Sequence, residues 1–125
     1  MTGAAVAAEG LTKFYGSSRG VEDLSFEARP GEVFGFLGPN GAGKTTTIRL
    51  MLDFLRPTRG AIRVLGLDPC RDRTKLARSI GAVFGQKSQL WFHLPPADSF
   101  KLLGAIYEIE DDDRLWRQAE LVERF

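Results

Sequence analysis

The nine residues Gly38-Pro39-Asn40-Gly41-Ala42-Gly43-Lys44-Thr45-Thr46 constrain the fold more than any other stretch of this chain. They fit G-x-x-x-x-G-K-[ST], a phosphate-binding pattern that works only between a strand and a helix. Upstream, Val33, Phe34, Gly35, Phe36 and Leu37 make a short apolar run, which predicts a strand buried on both faces. Downstream, Ile48, Met51, Leu52 and Leu55 recur at helical spacing and predict a helix over residues 45–55.

The chemistry follows from the residue types. Backbone N–H groups at a helix N-terminus are unpaired, and the helix dipole adds positive potential there, so anions settle on it. Gly38, Asn40, Gly41 and Gly43 belong to the loop, and Gly41 and Gly43 let its backbone curl without a Cβ in the way. Lys44 carries an ammonium suited to β- and γ-phosphate oxygens. Thr45 offers a hydroxyl to Mg²⁺, and Thr46 can donate to an α- or β-phosphate oxygen.

Composition sets the outer bounds. The 125 residues suit about one small domain, and the net charge of +1 gives no basic excess that would point to nucleic acid. Cys70 is the one cysteine, so no intrachain disulfide can form. One His and one Cys do not make a zinc site of the usual kind. No apolar run approaches the roughly 18 residues a membrane helix requires. The alanine-rich start has no basic segment and reads as a frayed end, not a signal peptide.

Taken in order, residues 6–15 read as a strand and 16–20 as a turn. Residues 24–28 read as a half-exposed strand, and Arg29-Pro30-Gly31 as a turn into the apolar run. Pro57 ends the helix after the loop. Residues 61–65 alternate as a strand, Gly66 to Pro69 turn, 74–80 suit a short helix and 82–84 a brief strand. Pro95-Pro96 reads as a stop, with Asp98 or Ser99 capping a helix to about Tyr107. A last helix begins at the acidic run Asp111-Asp112-Asp113, with Leu115, Ala119, Val122 and Phe125 on one face. Two residues outside the loop carry chemical interest. Tyr15 either stacks on an adenine ring or is a core aromatic at a strand end. Gln86, after an apolar stretch, either reaches Mg²⁺ or a water through its carbonyl or is a surface glutamine.

Together these residues resemble the ATP-binding subunit of an ATP-binding cassette (ABC) transporter, from about Leu11 onward. The run GPNGAGKTTTIRLMLDFLRPTRGAIRVLGLDP is similar to that family's phosphate loop, helix and following strand. The resemblance implies Tyr15 as the adenine-stacking aromatic, the loop residues as the ATP site, and Thr45 and Gln86 as the Mg²⁺ ligands. It implies an α/β P-loop ATPase fold that is incomplete here. An antiparallel β layer and part of a parallel core sheet would occupy about residues 6–95, and the start of a helical subdomain about 96–125. The segment from Val83 to Phe92, with Leu94-Pro95 and Ser99-Phe100, looks like the exporter branch whose membrane permease is a separate short subunit. By that likeness residues 87–100 face the permease, although Trp91 and Phe92 read equally as core residues, and His93 as a surface one. A second ATP-binding subunit as dimer partner, and a cytoplasmic place on the inner face of the membrane through the permease, are implied likewise.

The likeness is partial. Within the 125 residues there is no LSGGQ-like signature, no acidic strand ending in Asp-Glu and no switch histidine; Asp68-Pro69 reads as a turn. The expectation is that this chain by itself hydrolyses ATP negligibly, since phosphoryl transfer depends on positioned charge and a positioned water. It is also expected to be partly folded and to expose the 33–37 run. Two other readings stay open: a non-hydrolysing fragment with weak or no nucleotide binding, and a soluble ABC ATPase outside transport.

Overall fold

The computed structural model describes residues 3–85, 90–91 and 93–124. They fall into two units, one up to Ile80 and one from Gly81. Gln86, Lys87 and Phe92 lie outside the described residues.

The first unit is built on a three-stranded antiparallel sheet of order β2-β1-β3, with β1 Val6–Tyr15, β2 Ser18–Ala28 and β3 Arg59–Val64. β1 and β2 form a hairpin whose two-residue turn, Gly16-Ser17, has Gly16 at φ +59°. β2 therefore starts earlier than the alternation at 24–28 suggests, because the tight turn carries pairing down to Tyr15 and Ser18. Both ladders shift register around Gly10. Gly60 sits against that bulge, where a Cβ would come within 2.2 Å of Gly10 O. Thr12 is buried beside it with its hydroxyl satisfied, donating to Gly10 O and accepting from Asp23 N–H.

The core of this unit is Ala8, Leu11, Val21, Leu50 and Ile62, with Leu24, Phe26, Met51 and Leu55 packed against it. Leu50 comes from α1 (Lys44–Met51), so the helix covers one face of the sheet. The helix is shorter than its apolar spacing suggests. Asp53 turns left-handed at φ +56°, and the N–H groups of Phe54 and Leu55 both return to Arg49 O. Its buried positions are Thr47 and Leu50, while Ile48 stays 41 % exposed, so the inward stripe is rotated from the one the apolar residues mark out. α2 (Arg73–Ser79) buries Leu76 and ties back through Arg73 Nε to the buried carboxylate of Asp53 at 3.6 Å.

The apolar run at 33–37 is not a strand. Residues 32–39 carry no ladder, and Val33 and Leu37 are fully exposed or nearly so. A strand of a parallel sheet exists only against neighbours, and none of the described strands pairs with this one. The run is nevertheless anchored at both ends. Arg29-Pro30-Gly31-Glu32 closes as a turn with Gly31 at φ +78° and Glu32 N–H donating to Arg29 O. Phe34 and Phe36, two apart and so on one side of an extended chain, pack on Phe26 of β2 at ring separations of 5.4 and 5.5 Å. Residues 82–84 likewise form no strand.

The second unit is a helical hairpin of α3 (Pro96–Ile106) and α4 (Asp111–Arg124). Pro95-Pro96 starts α3 and is not a stop: Pro96 occupies a first-turn position whose N–H has no intrahelical partner. Asp98 lies inside the first turn, and Ser99 is buried, its hydroxyl accepting from Trp91 N–H at 3.4 Å. Gly104 lets Arg114 of α4 lie flat on α3, since a Cβ there would meet Arg114 Cδ at 2.6 Å. Asp111 and Asp113 bond Arg114 and Arg117 one turn on. α4 buries no residue, and Leu115, Leu121 and Val122 are exposed. Among the described residues no helix is long and apolar enough to cross a membrane.

Candidate functional site

The phosphate-loop pattern becomes a loop because Gly41 and Gly43 hold φ values of +84° and +90°, which other residues rarely adopt. The two glycines meet different constraints. Nothing lies within 4 Å of a Cβ built on Gly41, so only its backbone conformation demands glycine. A Cβ on Gly43 would come within 2.6 Å of Gly20 O and 3.1 Å of Val21 Cβ, so Gly43 is also where the loop presses on β2. Gly43 caps α1: its carbonyl accepts both the N–H and the hydroxyl of Thr47, a fully buried side chain.

Lys44 is half-buried and arches back over its own loop, Nζ donating to Gly38 O and, at 2.7 Å, to Pro39 O. This ties the ammonium to the loop's own carbonyls. Thr45 is exposed and Thr46 half-buried on the first turn of α1. Across from them stands Tyr15, at the end of β1. It is 45 % exposed and not a core residue; its hydroxyl lies 3.4 Å from Thr46 Oγ1, and Lys13 Nζ lies 5.8 Å from its ring centroid.

These side chains share a cavity of about 280 Å³ lined by Tyr15, Arg19, Gly20, Asn40, Gly41, Gly43, Lys44, Thr45 and Thr46. The structure thus brings together every phosphate-loop residue singled out from the sequence except Gly38, whose carbonyl accepts from Lys44. Arg19 and Gly20 were not singled out. They lie in what reads as a turn, and their relevance appears only when the hairpin folds over the loop. Gln86 lies outside the described residues, as do Lys87 and Phe92 of the 87–100 segment; Trp91 is half-buried and His93 exposed.

Among the described residues the lining offers hydroxyls, backbone amides, one amide side chain, one aromatic ring and two cations, with no carboxylate. Such a set suits an anion attached to a flat ring. A second cluster lies at the end of α1. Burial first, then a hydrogen bond to Asp53 and the charges of Asp53 and Asp68, push the Cys70 thiol above its ordinary range. Asp68 there closes a turn, its Oδ1 accepting from the N–H groups of Cys70 and Arg71.

Known proteins are similar to this chain in sequence and in fold. The family model described as ABC transporter matches residues 21–124. The daunorubicin resistance ATP-binding protein DrrA3 of Streptomyces coeruleorubidus is 35 % identical over 125 residues, all of this chain and 39 % of that protein. The bacitracin transport ATP-binding protein BcrA of Bacillus licheniformis is 44 % identical over 73 residues, 58 % of this chain and 24 % of that one. A solved ATP-binding subunit of an ABC transporter superposes with a TM-score of 0.75 at 26 % identity, covering 86 % of this chain and 45 % of its own. The chain spans less than half the length of each of these relatives. With a family match running through both units, from the hairpin at residue 21 to the end of α4, the chain belongs to the ABC transporter family.

Proposed function

We propose that this chain is the nucleotide-binding part of an ATP-binding subunit that drives export through a membrane permease. The observation that carries the reading is the shared cavity: an aromatic ring from β1 faces a lysine and two threonines at a helix N-terminus across about 280 Å³. Tyr15 stacks on adenine. The backbone around Gly38, Asn40, Gly41 and Gly43, with Lys44 and Thr46, holds the phosphates. Thr45 and Gln86 would be the protein ligands of a magnesium ion, which would supply positive charge against the phosphates. Export is supported by what the relatives are named for, bacitracin transport and daunorubicin resistance. Residues 87–100 are the proposed permease-facing segment, and a second ATP-binding subunit the proposed dimer partner. The place of action would then be the inner face of the membrane.

The test is calorimetric titration of the chain with MgATP. A charged hydrogen bond contributes roughly 1.5–3 kcal/mol, so Lys44→Ala should weaken binding about ten- to a hundredfold. Equal affinity of the variant and the unaltered chain would overturn the reading.

A further inference from the structure

Arg19 stands outside the phosphate-loop pattern, yet it lines the same cavity as Lys44 and Tyr15. Its place there is set by backbone packing. Gly20 has no room for a side chain: a Cβ would come within 2.6 Å of Tyr15 Cε2 and 3.1 Å of both Lys13 O and Thr46 Cγ2. Gly43 closes on Gly20 O from the loop side in the same way. Two glycines therefore clamp the start of β2 against the loop, and the residue before Gly20 is carried to the cavity's rim. A neighbouring cavity of about 300 Å³ runs on toward Gly41 and Ala42, and Arg19 lines it as well.

The guanidinium is lightly engaged. Its ion pair is with Glu22 at 3.7 Å, and both side chains are mostly exposed, at 68 % and 52 %. An exposed pair of that length contributes little and is exchanged readily for a better anion. A phosphate offers one, since arginine meets its oxygens with two parallel N–H donors.

We propose that Arg19 is a second phosphate-binding cation of this site, supplied by the β1–β2 hairpin opposite Lys44. This rests on the nucleotide reading above. Arg19 recognises the phosphate chain and not the base, so it raises affinity for ADP and ATP alike and does nothing for adenosine.

The experiment titrates the chain with ATP, ADP and adenosine at two salt concentrations. It compares Arg19→Ala, Arg19→Lys and Glu22→Ala, with Lys44→Ala as reference. Arg19→Ala should weaken ATP and ADP by about three- to tenfold and flatten the salt dependence, because the side chain is exposed. Adenosine should be unchanged, and Arg19→Lys should keep most of the affinity. Glu22→Ala breaks the same ion pair but frees the guanidinium, so it should leave binding unchanged or tighten it. An Arg19→Ala variant that binds ATP as well as the unaltered chain overturns the proposal. So does an equal loss for adenosine, or a Glu22→Ala variant that copies the loss, since each marks a merely structural role. If Lys44→Ala weakens ATP and Arg19→Ala does not, this proposal alone fails. If the unaltered chain does not bind ATP, or Lys44→Ala leaves its binding intact, the nucleotide reading fails and this proposal with it.

Discussion

β1 and the segment 33–37 both carry residues suited to a strand, yet only one is a strand. β1 is hydrogen-bonded on both sides, to β2 and β3, and buries Ala7, Ala8 and Leu11. Residues 33–37 have no ladder, and Leu37 is 93 % exposed. The difference is not propensity, since Val33, Phe34 and Phe36 are good strand residues. It is pairing: a strand's backbone groups need a neighbour, whereas a helix such as α1 satisfies its own. The loop is accordingly held from its helix side and by β2, while its upstream side rests on the 29–32 turn, two aromatic contacts to Phe26 and the bonds from Lys44 to the carbonyls of Gly38 and Pro39.

The contrast can be broken most sharply in stability. Leu11 is completely buried, so Leu11→Ala should cost about 2–5 kcal/mol, which is enough to unfold a marginal domain. Leu37→Ala should stay within about 0.5 kcal/mol, as an exposed substitution does. Urea titration followed by circular dichroism reads both, and similar losses at the two positions would show that 33–37 is packed in solution.

The loop itself gives the next largest effect. Gly43→Ala meets both an unfavourable φ and the backbone of Gly20, whereas Gly41→Ala meets the φ alone. A left-handed φ costs a non-glycine residue about 1–2 kcal/mol, so Gly41→Ala should lose about that much and Gly43→Ala distinctly more. The same urea titration ranks them; the reverse order would mean that β2 does not press on the loop.

A smaller effect sits at the end of α1. The Cys70 thiol holds its proton more tightly in the folded chain than in the unfolded one. Its contribution to stability is therefore complete below the ordinary thiol range and is lost as pH rises through the raised value. At mildly alkaline pH, iodoacetamide should react more slowly with the folded chain than with the urea-unfolded chain. Asp53→Asn should quicken the folded reaction only in part, because burial is the larger cause. Equal folded and unfolded rates would contradict the assignment.

Much of this was legible in the sequence, because it is local. β1, the alternation that buries Ile62 and Val64 and exposes Arg63, and the acidic start of α4 follow from patterns within a few residues. What was not legible depends on partners far away in the chain. The 33–37 run carries the signal of a buried strand but not the strands that would bury it. The early end of α1 turns on the left-handed Asp53, a conformation that a sequence marks clearly only with glycine or asparagine. Arg19 and Gly20 became part of the site only through the hairpin's approach to Gly43.

The central claim is that Tyr15 and the phosphate loop form one site that divides a nucleotide between them. Calorimetric titration of Tyr15→Ala and Lys44→Ala with adenosine and with MgATP tests it most directly. The account predicts that Tyr15→Ala weakens both ligands by a similar factor, about 1–3 kcal/mol for lost stacking, while Lys44→Ala weakens ATP and spares adenosine. A Tyr15→Ala variant that binds both ligands as the unaltered chain does would contradict it, and would make Tyr15 a bystander at the rim of the cavity.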